Sequence, residues 1–128
     1  MPHIRISLLE GKPAAFLQTL SDSIQGTLVE TIGVAATDRF QIIEELKPSH
    51  LHVSSPLVGV THTENVIILH ISLKAGRSLA TKKHLYQQLA INLSTNLSIK
   101  KEDIIIMLVD LPAENWSFGS GMATLLLD

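Results

Sequence analysis

Hydrophobic positions along the chain follow two periods in turn. Ile4, Ile6 and Leu8 stand at every second place with Arg5 and Ser7 between them, the spacing of a half-buried strand. Gly11-Lys12-Pro13 interrupts that run, and Pro13 suits a first helical position. Leu17, Leu20, Ile24, Leu28 and Ile32 follow at helical spacing, with Gly33 placed to end the helix in a left-handed cap. Phe40, Ile42 and Ile43 open a second strand. Farther on, the residues from about Val66 to Leu73 read as a strand and Ser78 as a helix N-cap. Leu85, Leu89, Leu93 and Leu97 stripe a second helix, and Ile104 to Val109 form a closing strand.

The two halves of this pattern repeat. Ile6-Ser7-Leu8 recurs as Ile71-Ser72-Leu73, an offset of 65 residues. The same offset pairs Gly11 with Gly76, Ala15 with Ala80, Leu20 with Leu85, Leu28 with Leu93, Asp38 with Asp103 and Leu46 with Leu111. Residues 1–128 are therefore expected to form a single domain, with one unit written twice (about 2–46 and 67–111) and a tail, 112–128. Each unit reads strand, helix, strand. Two βαβ units predict an α/β (α+β) fold, a four-stranded mixed sheet with two helices on one face. The unbroken run Ile104 to Val109 puts apolar side chains on both sides of its strand, while two helices cover only one. Another subunit is the expected cover, which makes an obligate oligomer the expectation. Lys47 to Asn65 reads as a connecting loop with a short hairpin.

Composition supports burial beyond one small monomer. Hydrophobic residues are 45% of the chain and charged ones 17%, against about 25% charged in an ordinary soluble domain. The net charge of −2 leaves no electrostatic footprint for nucleic acid or an anionic membrane. With no cysteine, disulfide scaffolds, thiol nucleophiles, zinc ribbons and iron–sulfur sites are excluded together. The start of the chain lacks the pattern of a signal peptide, and the longest apolar run is too short to span a bilayer, so a soluble cytoplasmic protein is expected.

Several residues could carry chemistry. Removal of Met1 would leave Pro2 a free secondary amine, and an apolar pocket would pull its pKa towards neutrality, where it can act as a general base. The plain alternative is an ordinary chain start. Arg77, within Gly76-Arg77-Ser78, sits where a guanidinium could grip a carboxylate at a helix entrance, or simply where a turn is solvated. Asp38 could orient a water or a carbonyl, or be a turn residue like its repeat partner Asp103. Trp116, Phe118 and Leu125 could wall a pocket or pack the tail on a neighbour. His50, His52 and His62 fall short of a metal set without a further ligand, so no metal is expected.

Taken together, Met1-Pro2, Leu9-Glu10-Gly11, Gly33-Val34 through Asp38-Arg39-Phe40-Gln41, Gly76-Arg77-Ser78 with Lys82, and Trp116-Ser117-Phe118-Gly119 with Gly121 resemble the tautomerase superfamily. The group most similar is that of malonate semialdehyde decarboxylase, and the likeness covers nearly the whole chain. The resemblance implies a tautomerase-like fold and a homotrimer with active sites near subunit boundaries. It implies Pro2 as general acid or base, Asp38 as the assisting acid, and Arg77 as the holder of a small oxo acid's carboxylate. Trp116 and Phe118 match the aromatic wall, and Arg39 and Lys74 are the further substrate-binding candidates. No cofactor is implied. One departure stands out: where the decarboxylase carries a second arginine, this chain has Ala75, and the nearby Lys74 is a point charge rather than a planar fork. The implied reactions are thus enol–keto tautomerisation or decarboxylation. Hydration or dehalogenation of an unsaturated acid, and a non-catalytic trimeric binding protein, are the alternatives.

Overall fold

The structure, a computed structural model, describes residues 2–127. Strand β1 (His3–Leu9) leads to helix α1 (Ala14–Ile32) and strand β2 (Gln41–Leu46). Strand β3 (Ile67–Lys74), helix α2 (Leu79–Leu97) and strand β4 (Ile104–Leu111) follow in the same order. The sheet order is β2-β1-β3-β4, with β1 parallel to β2, β3 parallel to β4, and β1 antiparallel to β3 at the centre. This is the mixed four-stranded sheet expected.

The register is internally consistent. Ile4 pairs with Gln41 and Ile67 with Ile104, an offset of 37 residues in both parallel pairs. A shift of 65 residues carries Ala14–Ile32 onto Leu79–Leu97 and the left-handed C-cap Gly33 onto the left-handed C-cap Ser98. Ser78 caps α2 by accepting the Thr81 N–H. Pro13 departs from expectation by one place: it is the N-cap of α1, extended at φ −67° and ψ 158°, not its first residue. Its carbonyl accepts the N–H groups of Phe16 and Leu17, which is what an N-cap carbonyl does.

Alternation decides the faces. Ile4, Ile6 and Leu8 of β1 and Ile67, Leu69, Ile71 and Leu73 of β3 meet Leu20, Ile24 and Leu28 of α1 and Leu85, Leu89 and Leu93 of α2 in one dry core. Asn92 and Asn96, which match glycosylation acceptors in sequence, instead bond α2 to α1 through Thr27 and Ser23, at 2.9 Å each. The opposite face of the sheet is uncovered in the isolated chain. Ile42, Met107 and Val109 are 41%, 48% and 36% exposed there, beside an Arg5–Glu44 ion pair. Among the described residues no helix is long and apolar enough to cross a membrane.

Candidate functional site

The sheet topology brings the candidates to one end of the molecule. Because Ile4 pairs with Gln41 and donates its N–H to the Phe40 carbonyl (3.0 Å), residues 38–40 lie beside Pro2 and His3. Because β3 runs the other way, it finishes at that same end, and Lys74 pairs with Leu111 of β4. Arg77 and the tail after Pro112 therefore start there too.

A cavity of about 340 Å³ opens at this end, lined by Pro2, Asp38, Arg39, Phe40 and Phe118. Its size is within the range of small-molecule sites. Pro2 is buried and Asp38 half-buried. The aromatic side of the cavity is layered. Phe118 meets Phe40 edge-on with centroids 6.5 Å apart, and Trp116 stacks on Phe118 at 5.3 Å. Phe40 in turn lies against the His3 ring at 4.4 Å. Trp116 is itself buried, so it backs the wall and does not form its surface.

The charged candidates divide. Asp38 lines the cavity, and its carboxylate has no hydrogen-bond partner among the described residues. Arg39 lines the cavity, yet its guanidinium is turned to α1, where it donates to Asp22 (2.7 Å) and Ser21 (3.0 Å). That contact and Gln18 hold the Asp22 carboxyl below its usual range. Arg77 is half-buried and donates Nη1 to the Lys74 carbonyl at 2.9 Å; it stands at the same sheet end but outside the cavity lining, as does exposed Lys74. Lys82 pairs with Asp110. A prolyl nitrogen is basic only when no residue precedes it, and Met1, whose removal would free Pro2, lies outside the described residues.

The histidine-bearing connection sits elsewhere. It leaves β2 and enters β3 at the far end of the sheet, and His52 and His62 are tied to carbonyls of their own loop, those of Ser49 and Ser54. It therefore does not cover the Pro2 cavity within this chain. Its expected short hairpin is an isolated bridge between Leu57 and Val60. No group of three or more metal-ligating side chains occurs among the described residues.

Three residues at the site lack a clear sequence signal. Phe40 reads as the first apolar residue of a strand, though it directly follows Asp38-Arg39 and so shares their placement. His3 reads as an ordinary strand residue; burial lowers its pKa, helped by Arg5 and then His70. Gln25 reads as a polar residue at the edge of the α1 stripe. It is in fact 3% exposed, with its Nε2 donating to the carbonyls of Ala35 and Asp38 at 3.2 Å each.

Residues 38–119 match the model of a family described as "Tautomerase enzyme", and residues 2–60 match a second of the same description. The chain is 35% identical over 126 residues to the probable tautomerase YusQ of Bacillus subtilis (strain 168), covering 98% of this chain and 99% of that protein. It is 28% identical to a malonate semialdehyde decarboxylase, with a TM-score of 0.88 over 97% of this chain and 95% of that one. That enzyme is described with decarboxylase and hydratase activities, in wild-type, proline-to-alanine mutant and inactivated forms. A fused 4-OT solved as a symmetric trimer shares the fold at 19% identity and a TM-score of 0.77, with 93% of each chain covered. The chain belongs to the tautomerase family.

Proposed function

We propose that this chain is an enzyme in which the amine of Pro2, freed by removal of Met1, works as general acid or base on a small oxo acid. The observation that carries this reading is the juxtaposition of buried Pro2 with Asp38 in one cavity, whose other lining residues are Arg39, Phe40 and Phe118. For an enol substrate, neutral Pro2 takes the hydroxyl proton as the C=O bond forms, and the proton is delivered to the neighbouring carbon. For a β-oxo acid, protonated Pro2 donates to the carbonyl oxygen. The C–C bond electrons then move into an enolate, CO₂ leaves, and the carbon is reprotonated. Apolar walls lower the amine's pKa and the Asp38 carboxylate raises it, so their balance selects between the two.

Arg77 is the proposed partner for the substrate carboxylate, reaching it from the turn after β3. Arg39 is not assigned that role, since Asp22 and Ser21 already engage its guanidinium. A homotrimer fits the uncovered apolar positions Ile42, Met107 and Val109, and a trimer is the assembly described for the fused 4-OT relative. The test is ketonisation of an arylpyruvate enol, followed by ultraviolet absorbance, for wild type beside Pro2→Ala, with the intact mass reporting whether Met1 is present. Acceleration by wild type alone supports the reading; equal rates for both proteins overturn it and leave a carboxylate-binding role.

Hydration of an unsaturated acid is the second reading. It is favoured by the unpartnered Asp38 carboxylate, placed to activate water, and by the hydratase activity described for the malonate semialdehyde decarboxylase relative. Incorporation of labelled solvent oxygen, lost in Asp38→Asn, distinguishes it from proton transfer.

A further inference from the structure

Gln25 breaks the pattern of its surroundings. It follows Ile24 and precedes Thr27 and Leu28 on the buried side of α1, and it is nearly as inaccessible as they are. A primary amide in such a place loses its hydration, so it is tolerated only if its polar atoms find partners. Its Nε2 does, splitting two hydrogen bonds between the Ala35 and Asp38 carbonyls, while its Oε1 is buried without a partner. An apolar side chain of similar size would avoid that cost. Departures from local rules of this kind collect at functional positions.

What Gln25 holds is the segment that supplies three of the cavity's five lining residues. Asp38 donates its own N–H to the Ala35 carbonyl at 2.9 Å, closing a turn over residues 35–38. Gln25 bonds both ends of that turn. One helical turn earlier, Ser21 and Asp22 take the Arg39 guanidinium, and Ser21 and Gln41 bond each other. A single line of α1 residues thus clasps residues 35–41 from the start of the turn to the start of β2. The Asp38 carboxylate has no hydrogen-bond partner of its own in the described chain, so only its backbone is held, and Gln25 is the buried part of that hold.

We propose that Gln25 is a positioning residue that fixes Asp38 against Pro2 for the reaction. The catalytic half of this inference rests on the reading under Proposed function; the clasp itself does not. Gln25→Leu removes both donors and keeps the volume, with Gln25→Met as the substitute if leucine does not fold. The expected loss in kcat/KM is about 10- to 100-fold, mostly in kcat, as for a catalytic group displaced by about an ångström. In an Asp38→Asn background the same substitution is expected to change kcat/KM less than about twofold, because residues acting as one unit are not additive. Exchange of the Asp38 amide hydrogen is expected to quicken at least about tenfold in Gln25→Leu, while amides of β1 and β3 keep their protection.

An equal fractional loss of kcat/KM in both backgrounds overturns the proposal, since a merely structural role acts whether or not Asp38 is present. Faster exchange with unchanged turnover overturns the catalytic half. Unchanged exchange at Asp38 overturns the clasp. Absence of Pro2-dependent turnover in wild type removes the catalytic reading instead, and the exchange measurement then decides the clasp alone.

Discussion

Asp38 and Asp103 occupy equivalent places in the two halves of the chain, yet their surroundings differ, and the proposed function gives them opposite duties. Asp103 is 1% exposed, and its carboxylate accepts the Thr63 N–H at 2.7 Å and the Thr63 hydroxyl at 2.6 Å, tying the entry of β3 to the start of β4. Asp103→Ala removes both acceptors. Hydrogen bonds to a charged group contribute about 1.5–3 kcal/mol each, but Thr63 is only half-buried and water recovers part of the loss, leaving about 2–4 kcal/mol. For a domain of this size that is a fall in Tm of about 8–15 °C. Asp38→Ala breaks no side-chain hydrogen bond among the described residues, so its stability is expected to stay within about 0.5 kcal/mol of wild type. Its turnover is expected to fall about 10²- to 10⁴-fold, the usual contribution of an acid–base group. Thermal unfolding at one fixed protein concentration and arylpyruvate enol ketonisation, run on both variants, separate the two. If Asp38→Ala unfolds as readily as Asp103→Ala, or if folded Asp103→Ala loses as much turnover, the assignment of one aspartate to the site and the other to the frame is wrong.

Other outcomes follow from single contacts. Ser78→Ala deletes the side-chain cap of α2 and is expected to cost about 1 kcal/mol, read as a lower urea midpoint with an unchanged slope; no change in midpoint would mean that water caps the Thr81 N–H equally well. His3 takes up a proton less readily when folded than when unfolded, because of burial, then Arg5, then His70. Stability is therefore expected to be independent of His3 above the unfolded value of about 6.5 and to decline as the pH falls below it; His3→Gln should flatten that decline between pH 7 and 5, and an identical profile would refute the role. Met107→Glu puts a charge on the uncovered sheet face and is expected to reduce the mass seen by light scattering to that of one chain, whereas an unchanged assembly would place the contact elsewhere.

Much of the frame was legible because its signals are local. The stripe Leu85, Leu89, Leu93, Leu97 is buried throughout, and Gly33 takes the left-handed cap that its position after the α1 stripe demanded. The coming together of Pro2 and Asp38 is legible in a weaker sense: parallel pairing of the two strands of a unit is expected, but the register that lays residues 38–40 beside the start of β1 comes only from the structure. Side-chain direction is different in kind. Nothing near Arg39 in sequence says that its guanidinium would swing to Asp22, 17 residues away on the surface of α1. Gln25 is invisible for the same reason: its partners are carbonyls of a turn whose place is fixed only once α1 packs across the sheet. The repeat shows where local reading ends. It treats Asp38 and Asp103 as equals, and only the fold distinguishes them, because the connection entering β3 lays Thr63 on Asp103 while the entry to β1 is Pro2, which lines a cavity together with Asp38. The chemistry proposed for this chain comes from that difference in the surroundings of two matching residues.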